Sequence, residues 1–545
     1  MTRRHSHRIR RARTRAARRA ADYVVGPTST ERVCRLDVAT LNAPQPLVFT
    51  ADAMRDIYRT VGSLPAEHGG PLGGARGSGV VEHFHHDTAS ARTRGTYYPS
   101  VDEINRLMRE RWNPDGINLL GFVHSHPSGY TRPSGPDAEY AARILAGIPE
   151  LDRFLLPIVQ TVPDTRAFSL RGFAAVREPG GVRVEELDVH VLPPTIDEGR
   201  VWPEFARVYE AYDMAVMARS RLVLVGSGGG AAFAEDAVRA GVGEIVLIDP
   251  DIVEAPNVAT QQAYRSDIGR PKVDAIAGRL VDVSPTVRVW TVRARVEDLN
   301  DNAMRQLAVG WLPGSTYPCP AATVLCAFTD DFSAQARVHR LGLHVGVPVI
   351  GGMVYDSGRG VEVTFAASGL TRACIRCAQQ SRYGAYLEEG FRNDVGSAGA
   401  PIMATARLNA LKLPILLGLL HTVSRVARPE HPATLRFRRL METIVDRNLV
   451  VASLDPDIHE SLGLRMFESI SGGPDGGSLE RVLWRSPTPD GPASGSPTCP
   501  DCGGTGDLST SMGRFTSTLA MPRLFGDHRY DGRAQSVRSR RARAR

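Results

Sequence analysis

Two histidines, a serine and an aspartate lie close together in residues 123–137, VHSHPSGYTRPSGPD. Imidazole nitrogens and carboxylate oxygens bind zinc at about 2.0–2.2 Å, and catalytic zinc sites combine three such ligands with a fourth position left to water. We therefore expect His124, His126 and Asp137 to form a zinc site. Alternatively, Ser134 and Asp137 form a capping box at a helix start, which leaves the histidines unexplained.

The elements around these residues must bring them to one place. INLLGFVH, residues 117–124, is apolar and predicts a buried strand. Side chains alternate along a strand, so His124 and His126 share a face. AEYAARIL, residues 138–145, predicts the helix that returns Asp137 to them. Upstream, in LPAEHGGPLGG, Glu67 precedes a glycine-rich strand and is a candidate general base for a metal-bound water.

A second H-x-H lies in VEHFHHD, at His83 and His85, but no S-x-x-D follows it. We expect these two histidines to be solvent-facing strand residues.

The first pattern, H-x-H, seven residues and S-x-x-D, with a glutamate ahead of Gly-Gly, resembles the JAMM signature of the JAB/MPN metallopeptidases. These enzymes cleave isopeptide bonds to ubiquitin and its relatives. The resemblance implies that His124, His126 and Asp137 bind zinc, that Glu67 is the base on the zinc-bound water, and that Ser134 stabilises the tetrahedral intermediate.

A nucleotide site is predicted by residues 223–251, VLVGSGGGAAFAEDAVRAGVGEIVLIDPD, which have the order strand, glycine loop, helix, strand. Gly226, Gly228 and Gly229 allow backbone amides to approach phosphate at a helix N-terminus. Asp249 ends the second strand, where a carboxylate can accept hydrogen bonds from ribose hydroxyls. A dehydrogenase that transfers hydride would show the same features.

The next segment, IDPDIVEAPNVATQQAYRSDIGRPKVDAI, resembles the ThiF/MoeB and ubiquitin-activating enzymes, which adenylate the C-terminal glycine of a ubiquitin-like protein. Their motifs D-x-D, N-L-x-R-Q and G-x-P-K are matched by Asp249, Asp251, Asn257, Gln261, Gly269, Pro271 and Lys272. The resemblance implies ATP as a cofactor, bound in part by Lys272. In VLCAFTDDFSAQ it implies Asp330 as a magnesium ligand with Asp331 beside it.

Lysine is rare in this chain. Of its 66 basic residues only Lys272 and Lys412 are lysines. In a chain that otherwise uses arginine, either lysine marks a position that favours a compact ammonium.

One position departs from the family pattern. Thr260 stands where N-L-x-R-Q has its arginine, which is expected to neutralise charge on the transferring phosphates. Arg265, five residues on, either replaces it or merely lies on a surface loop. No cysteine stands out as a thioester nucleophile, and Cys319 is a faint candidate. Adenylation without a thioester, or delivery to a separate conjugating protein, is the expected scheme.

Two C-x-x-C pairs, Cys374 with Cys377 and Cys499 with Cys502, are expected to form a closed structural zinc site. The 121 residues between the pairs are a longer separation than such sites usually have.

Composition limits which cellular location and which kinds of partner are expected. The longest apolar run, LPILLGLLHTV, is shorter than a membrane span and contains Pro414, so a buried helix is expected. No secretory signal is apparent, and cysteine pairs typical of metal sites indicate a reducing, cytoplasmic location. The net charge of +7 is concentrated in arginine-rich ends, which we interpret as disordered tails and not as a nucleic-acid interface.

At 545 residues the chain should contain several domains. We predict a basic arm (1–30), a JAB/MPN-like α+β metallopeptidase domain (31–192), a ThiF-type adenylation domain with a doubly wound, Rossmann-like parallel sheet (200–470), a low-complexity segment with zinc-binding cysteines (471–510) and a basic tail (511–545).

The predicted function is that of a bacterial-type bifunctional enzyme, a zinc-dependent isopeptidase joined to an ATP- and magnesium-dependent adenylyltransferase. Its expected partners are a ubiquitin-like protein with a C-terminal glycine, a conjugating-enzyme-like protein and a second copy of the chain, with no membrane. Two alternatives remain open: an active peptidase beside a non-catalytic ATP-binding or ubiquitin-like-binding domain, and a Rossmann oxidoreductase.

Overall fold

The computed structural model describes residues 32–93, 95–148, 151–162, 167–178, 181–194, 203–387, 400–453, 481–491, 494–495 and 498–512. The predicted basic arm and most of the basic tail lie outside the described residues, as does much of the low-complexity segment. The proline-bearing stretch LPPTIDEG, residues 192–199, predicts a linker between the two domains, and its residues beyond 194 also lie outside the described ranges.

Twenty-one strands are described, numbered β1 to β21 in chain order. They are Val33–Arg35, Leu47–Thr50, Gly69–Gly74, Val80–Val81, His83–Phe84, Ala91–Thr93, Thr96–Tyr98, Asn118–His126, Arg153–Leu155, Ile158–Val162, Ala167–Glu178, Gly181–Leu187, Val189–Leu192, Ser220–Val225, Glu244–Ile248, Arg288–Val292, Ala322–Ala327, Val349–Tyr355, Gly360–Ala366, Leu449–Ser453 and Arg481–Arg485.

Fourteen α-helices are described, numbered α1 to α14. They are Val38–Asn42, Ala51–Arg59, Val101–Leu107, Gly135–Gly147, Met214–Ala218, Ala231–Arg239, Asn257–Thr260, Lys272–Val283, Asp301–Val309, Phe332–Val345, Ile375–Ala378, Gln380–Leu387, Ile402–Val423 and Pro432–Ile444. A π-helical turn, Met108–Trp112, extends α3. Short 3-10 turns include Arg265–Asp267 and Leu508–Ser511.

The larger sheet has nine strands in the order β1-β16-β15-β14-β17-β18-β19-β20-β21. Its pairings from β1 to β18 are parallel, and those from β18 to β21 are antiparallel. The prediction of a parallel sheet is therefore confirmed for six strands, and an antiparallel extension follows them.

Helices cover both faces of this sheet, as expected for a doubly wound fold. Leu222 and Leu224 of β14 pack into one core with residues of α6, α8 and α13, including Phe233, whereas Val223 and Val225 pack into a second core with α9 and α10. β14 is thus buried on both faces, which explains why its residues 222–225, LVLV, are all apolar.

The first strand of the chain belongs to this larger sheet. β1 pairs in parallel with β16, and Val33 lies opposite Val289. α1 then packs on α9. The predicted start of the first domain at residue 31 is therefore wrong in terms of the sheets, because residues 33–42 pack on the second unit. A three-residue strand carries too little pattern to show which sheet it joins.

The first unit contains a seven-stranded sheet in the order β10-β11-β9-β8-β3-β5, with β12 paired to β11. A small sheet of β13, β2 and β4 and the hairpin of β6 and β7 accompany it. β8 is the expected buried strand, and β3 runs antiparallel beside it. This mixed α+β arrangement fits the predicted class.

Two helix predictions are corrected. The sequence of residues 205–220, FARVYEAYDMAVMARS, predicts one helix, but only Met214–Ala218 of it is α-helical, and Asp213 caps the start of that helix. The apolar helix is longer than the run LPILLGLLHTV, since α13 contains 22 residues and includes Pro414. α13 is long and apolar enough to cross a membrane. It packs instead on β17, β18 and β19 with Ile415 and Leu416 fully buried.

Candidate functional site

The two histidines of β8 meet at the end of that strand. β3 and β10 pair with β8 on its two sides, so His124 and His126 are both buried. Their Nε2 atoms are 2.8 Å apart. The His126 Nδ1 atom lies 3.2 Å from the carbonyl oxygen of Tyr130, which fixes the ring so that Nε2 points toward His124.

Asp137 faces both imidazoles from the first turn of α4. Its Oδ1 lies 3.5 Å from His124 Nε2 and its Oδ2 lies 3.7 Å from His126 Nε2. Nitrogen and oxygen ligands of a tetrahedral zinc lie roughly 3.3–3.6 Å apart. Burial alone would raise the pKa of Asp137, but hydrogen bonds from the two histidines outweigh it and hold that pKa well below its ordinary value. The donor types and the two histidine–aspartate distances therefore fit zinc, while the two Nε2 atoms would have to separate slightly to bind it.

Ser134 caps α4, so the alternative interpretation of these residues is also correct. The Ser134 side chain accepts from the Asp137 amide at 3.4 Å, and the Asp137 carboxylate accepts from the Ser134 amide at 2.7 Å. The Ser134 hydroxyl also donates to Asp137 Oδ2 at 2.7 Å. The capping box thus holds the carboxylate toward the histidines, and the two interpretations describe one arrangement.

Glu67 reaches the same place from the segment before β3. Gly69 lies opposite His124 in the antiparallel register, which brings the preceding glutamate beside the metal-binding face. Glu67, His124 and His126 offer ligand atoms that all lie within 4.8 Å of one another. Glu67 is buried, and burial raises its pKa. It is therefore close enough to act on a water at the site, or to serve as a ligand in place of Asp137.

The aromatic ring that stacks on His124 was not predicted from the sequence. Tyr97 of β7 stacks on His124 with 5.7 Å between the ring centroids, and its hydroxyl donates to buried Asp87 at 3.2 Å. No motif marks Tyr97, because the hairpin that carries it is short and exposed in its first strand.

The second H-x-H has two different environments. His83 is exposed on β5, as expected, whereas His85 is half-buried after that strand with Nε2 3.0 Å from Glu103 Oε1. The expectation of a solvent-facing strand residue is therefore wrong for His85.

The glycine loop connects β14 to α6. Gly226 has a φ of 85°, and a Cβ there would clash with the Thr329 backbone. A Cβ at Gly228 would lie 2.4 Å from the Gln261 side chain, whereas one at Gly229 would meet nothing within 4 Å. Buried Ser227 carries a hydroxyl that, in the described part of the chain, has no hydrogen-bond partner. These features leave space and an unsatisfied polar group for phosphate at the start of α6.

The acidic residues after β15 organise the loop. Buried Asp249 accepts from the Ser227 amide at 2.7 Å and the Asp251 amide at 3.0 Å. Burial raises the pKa of Asp249, while Lys272 acts in the opposite direction. Lys272 begins α8, and its Nζ lies 2.9 Å from Asp251 Oδ2. The structure thus brings these three residues together beside the glycine loop.

The remaining predicted nucleotide residues surround this loop. Asn257 begins α7 and accepts from the Glu254 amide at 2.8 Å, and Gln261 follows that helix against Gly228. Asp330 is exposed and lies three residues after the end of β17. Asp331 caps α10 by accepting from the Ala334 amide at 2.7 Å. Helix capping alone therefore accounts for Asp331.

Thr260 and Arg265 occupy different surroundings. Thr260 ends α7, and its carbonyl oxygen accepts from the Thr405 hydroxyl at 3.4 Å. Arg265 begins a 3-10 turn and is exposed, while its neighbours Arg270 and Arg279 pair with Asp267. Within the described ranges, no contact joins Arg265 to the glycine loop.

The four cysteines of the two C-x-x-C pairs come together despite their separation in sequence. Sulfur–sulfur distances are 3.6 Å for Cys374–Cys377, 3.8 Å for Cys374–Cys499 and 3.6 Å for Cys377–Cys502. Thiolates on a tetrahedral zinc at about 2.3 Å lie roughly 3.8 Å apart. All four are buried, so this donor set fits a closed zinc site.

Cys319 is placed for structure. It is fully buried, and its sulfur lies 3.1 Å from Glu82 Oε1 and 2.7 Å from Arg425 Nη2. Burial, reinforced by Glu82, raises the pKa of this thiol. A thiol that cannot readily ionise is a poor nucleophile, which argues against Cys319 as a thioester residue.

Comparison with known proteins identifies two families. Residues 49–171 match the prokaryotic homologs of the JAB domain, and residues 204–429 match the ThiF family. The SAMP-activating enzyme E1 of Haloferax volcanii is 29% identical over 160 residues, 29% of this chain and 53% of that protein. The molybdopterin-synthase adenylyltransferase of Salmonella typhimurium is 34% identical over 160 residues, 29% of this chain and 58% of that protein.

The chain thus spans about half the length of the curated relatives it matches. Among solved structures, E. coli MccB with succinimide is similar at a TM-score of 0.34 and 15% identity, covering 53% of this chain and 69% of that chain.

Proposed function

Because the chain joins a domain of the prokaryotic JAB homologs to a domain of the ThiF family, we propose that it both hydrolyses and activates the C-terminal end of a ubiquitin-like protein. The observation that carries this proposal is that one chain contains two sites with matched chemistry. Glu67, His124, His126 and Asp137 form one, and the glycine loop with Asp249 and Lys272 forms the other.

In the peptidase half, His124, His126 and Asp137 would hold zinc. Zinc at such a site polarises the scissile carbonyl and lowers the pKa of a water. Glu67 accepts the proton of the attacking water and returns it to the leaving amine. The Ser134 hydroxyl turns from Asp137 to donate to the developing oxyanion, which adds electrostatic stabilisation.

In the adenylation half, the amides at the start of α6 and Lys272 bind the ATP phosphates, and Asp249 accepts from the ribose hydroxyls. Asp330 is the proposed magnesium ligand. The C-terminal carboxylate of the ubiquitin-like protein then attacks the α-phosphate and releases pyrophosphate. Both halves act on the same C-terminus, and tethering raises the effective concentration of one product at the other site.

The proposed partners and cellular location follow from this chemistry. The partners would be a ubiquitin-like protein with a C-terminal glycine, a separate conjugating protein and a second copy of the chain, in the cytoplasm. The alternative in which the ThiF domain only binds ATP and the modifier is favoured by one observation, the absence of the family arginine at Thr260.

The test of the peptidase half separates the base from the ligands. We expect Glu67→Gln to abolish cleavage of a ubiquitin-like protein carrying a C-terminal extension, with zinc retained, because glutamine keeps the size of the side chain and loses only the proton acceptor. Asp137→Asn is the matched control and should lose zinc as well as activity. Zinc content is measured by mass spectrometry of the native protein. Loss of zinc in Glu67→Gln would instead make Glu67 a ligand.

The test of the adenylation half is ATP–pyrophosphate exchange, measured with each small protein ending in Gly-Gly that the source genome encodes. We expect exchange with one of them, and a loss of about a thousandfold in Lys272→Ala and Asp330→Ala. ATP binding without exchange in every case would support the non-catalytic alternative.

A further inference from the structure

Lys412 is a buried cation whose role the proposed mechanism does not explain. It lies in α13 and is 1% exposed. Its Nζ lies 3.5 Å from the centroid of the Phe328 ring and 5.0 Å from that of Phe233. Across the described ranges, no carboxylate pairs with it. An ammonium held only by aromatic faces is costly to bury, so another interaction should compensate.

The two rings that contact Lys412 belong to the nucleotide site. Phe328 directly follows β17, two residues before Asp330, and its ring lies 3.0 Å from the position of a Cβ on Gly230. Phe233 lies in the first turn of α6, the helix that follows the glycine loop, and packs edge-on against Phe328 with centroids 5.2 Å apart. The ammonium is therefore one aromatic ring away from the backbone that would hold phosphate.

The same face of α13 runs past Thr260. Thr405, Asn409 and Lys412 are spaced four and three residues apart and so share a helix face. Thr405 donates to the Thr260 carbonyl, and buried Asn409 has neither amide atom paired among the residues described. This polar face of α13 extends from Thr260, where the family arginine is missing, to the base of the glycine loop.

We propose that Lys412 is a positioning residue of the nucleotide site. From its place beneath the glycine loop it supplies the positive charge that is missing because Thr260 stands where the family has an arginine. It acts on the ATP phosphates through Phe328 and the loop, without touching them. The interaction extends over this distance because charges separated by protein interior are weakly screened. The inference rests on the proposed ATP site, and it replaces Arg265 as the source of charge.

The surroundings of Lys412 predict a measurable uptake of protons when ATP binds. Burial lowers its pKa to about 7. A triphosphate bound nearby favours the charged form, so ATP binding should be coupled to proton uptake. The titratable neighbour on β17 is Cys326, whose pKa burial raises to about 12, so it stays a thiol. β18 and α6 present Gly352 and Phe233, which do not titrate.

The titratable groups of the nucleotide site itself, Asp249, Asp251, Lys272 and Asp330, stay the same when only Lys412 is replaced. The difference in proton uptake between the parent protein and a Lys412 variant therefore reports on Lys412.

The experiment is isothermal titration calorimetry of Mg-ATP binding to the full chain, in two buffers that differ in ionisation enthalpy, from about pH 6 to about pH 9. Lys412→Met keeps an unbranched side chain one atom shorter than that of lysine and removes the charge. We expect it to weaken ATP binding about tenfold. Near neutral pH, the variant should also take up fewer protons per bound ATP than the parent protein, by a fraction of one proton. Leu408→Ala, which loosens packing on the same Gly352, should keep the full proton uptake.

Equal affinity and equal proton uptake in the parent and Lys412→Met would overturn the proposal. Weakened binding in Arg265→Ala, with none in Lys412→Met, would overturn it in favour of Arg265. The parent protein alone gives a second measurement, because its uptake should fall toward acidic pH, where Lys412 is already charged; uptake that does not fall there would also overturn the proposal. Absence of any ATP binding by the parent would contradict the proposed nucleotide site itself.

Discussion

Single side chains at both sites serve the fold and the chemistry together. Asp137 closes the capping box of α4 and faces two imidazoles. Asp249 fixes the turn of the glycine loop through the Ser227 amide and is the residue proposed to accept hydrogen bonds from ribose. Such double use makes the sites rigid, because moving the functional group would also break a local backbone contact.

Lys412 is the side chain for which stability and function should conflict. Its pKa is lowered by burial to about 7, against 10.5 in the unfolded chain. The unfolded state therefore binds more protons between these values, and folding stability attributable to this group rises with pH across that window. Below about pH 7 both states are charged and the full cost of burial applies.

We expect Lys412→Met to raise the thermal unfolding midpoint of the ATP-free protein, most at about pH 6 and progressively less toward about pH 10. Calorimetric scans of parent and variant at several pH values would measure the difference. A difference that is constant with pH would mean that packing, and not the buried charge, causes it.

At the scale of elements, pairs of residues far apart in sequence meet because strands and loops align. Glu67 reaches the histidines through the register of β3 against β8, and Cys499 and Cys502 reach Cys374 and Cys377 through the loop after β21. The four-cysteine cluster fastens that loop to α11, next to α10.

We predict two zinc ions of unequal lability. The histidine–aspartate site leaves a coordination position to solvent, whereas four thiolates enclose their metal, so graded chelator treatment should remove the first zinc well before the second. Native mass spectrometry gives the stoichiometry at each step. Cys499→Ser with Cys502→Ser should leave one zinc, the labile one. A single tightly held zinc that persists in this double variant would contradict the four-cysteine assignment.

Local sequence patterns predicted much of this arrangement. The features that depend on contacts between segments far apart in the chain were not predicted. The H-x-H on β8, the glycine loop and the two C-x-x-C pairs follow from short-range periodicity and spacing, which sequence carries directly. The ring of Tyr97 over His124, the half-buried state of His85 and the aromatic surroundings of Lys412 depend on contacts between separate elements. Residues 205–220 show the opposite limit, because their helical pattern forms an α-helix only over Met214–Ala218.

At the scale of the whole molecule, an ion pair joins the two units. Glu82 accepts from Arg425 Nη1 at 3.0 Å through both carboxylate oxygens, with the Cys319 thiol beside them. Burial would raise the pKa of Glu82, but Arg425 outweighs it and lowers that pKa. A carboxyl group with a lowered pKa contributes stability that is present at neutral pH and lost as the pH falls through its folded-state value.

We expect Arg425→Met to destabilise the contact between the units by about 1–3 kcal/mol, because it leaves a largely buried carboxylate without its hydrogen-bonding cation. Thermal scans should then resolve separate transitions for the two units at neutral pH, and the effect should shrink as the pH falls through the folded-state pKa of Glu82, which Arg425 holds below its ordinary value.

Arg428→Met is the matched control, since Arg428 pairs with Asp213 inside the second unit at 2.8 Å. It should lower the transition of that unit without separating the two. Identical scans for both variants would mean that the Glu82–Arg425 pair does not couple the units.

The pairing of β1 with β16 has a consequence for how the chain is made. Val33 is synthesised long before its partner Val289, and the whole metallopeptidase-like unit emerges from the ribosome between them. The JAB-like unit is therefore an insertion within its neighbour. One edge of the nine-stranded sheet closes only after a loop of that length has been brought together, which makes this a late and entropically costly step. A nascent chain halted before residue 288 would carry a folded JAB-like unit, with β1 still lacking its partner strand β16.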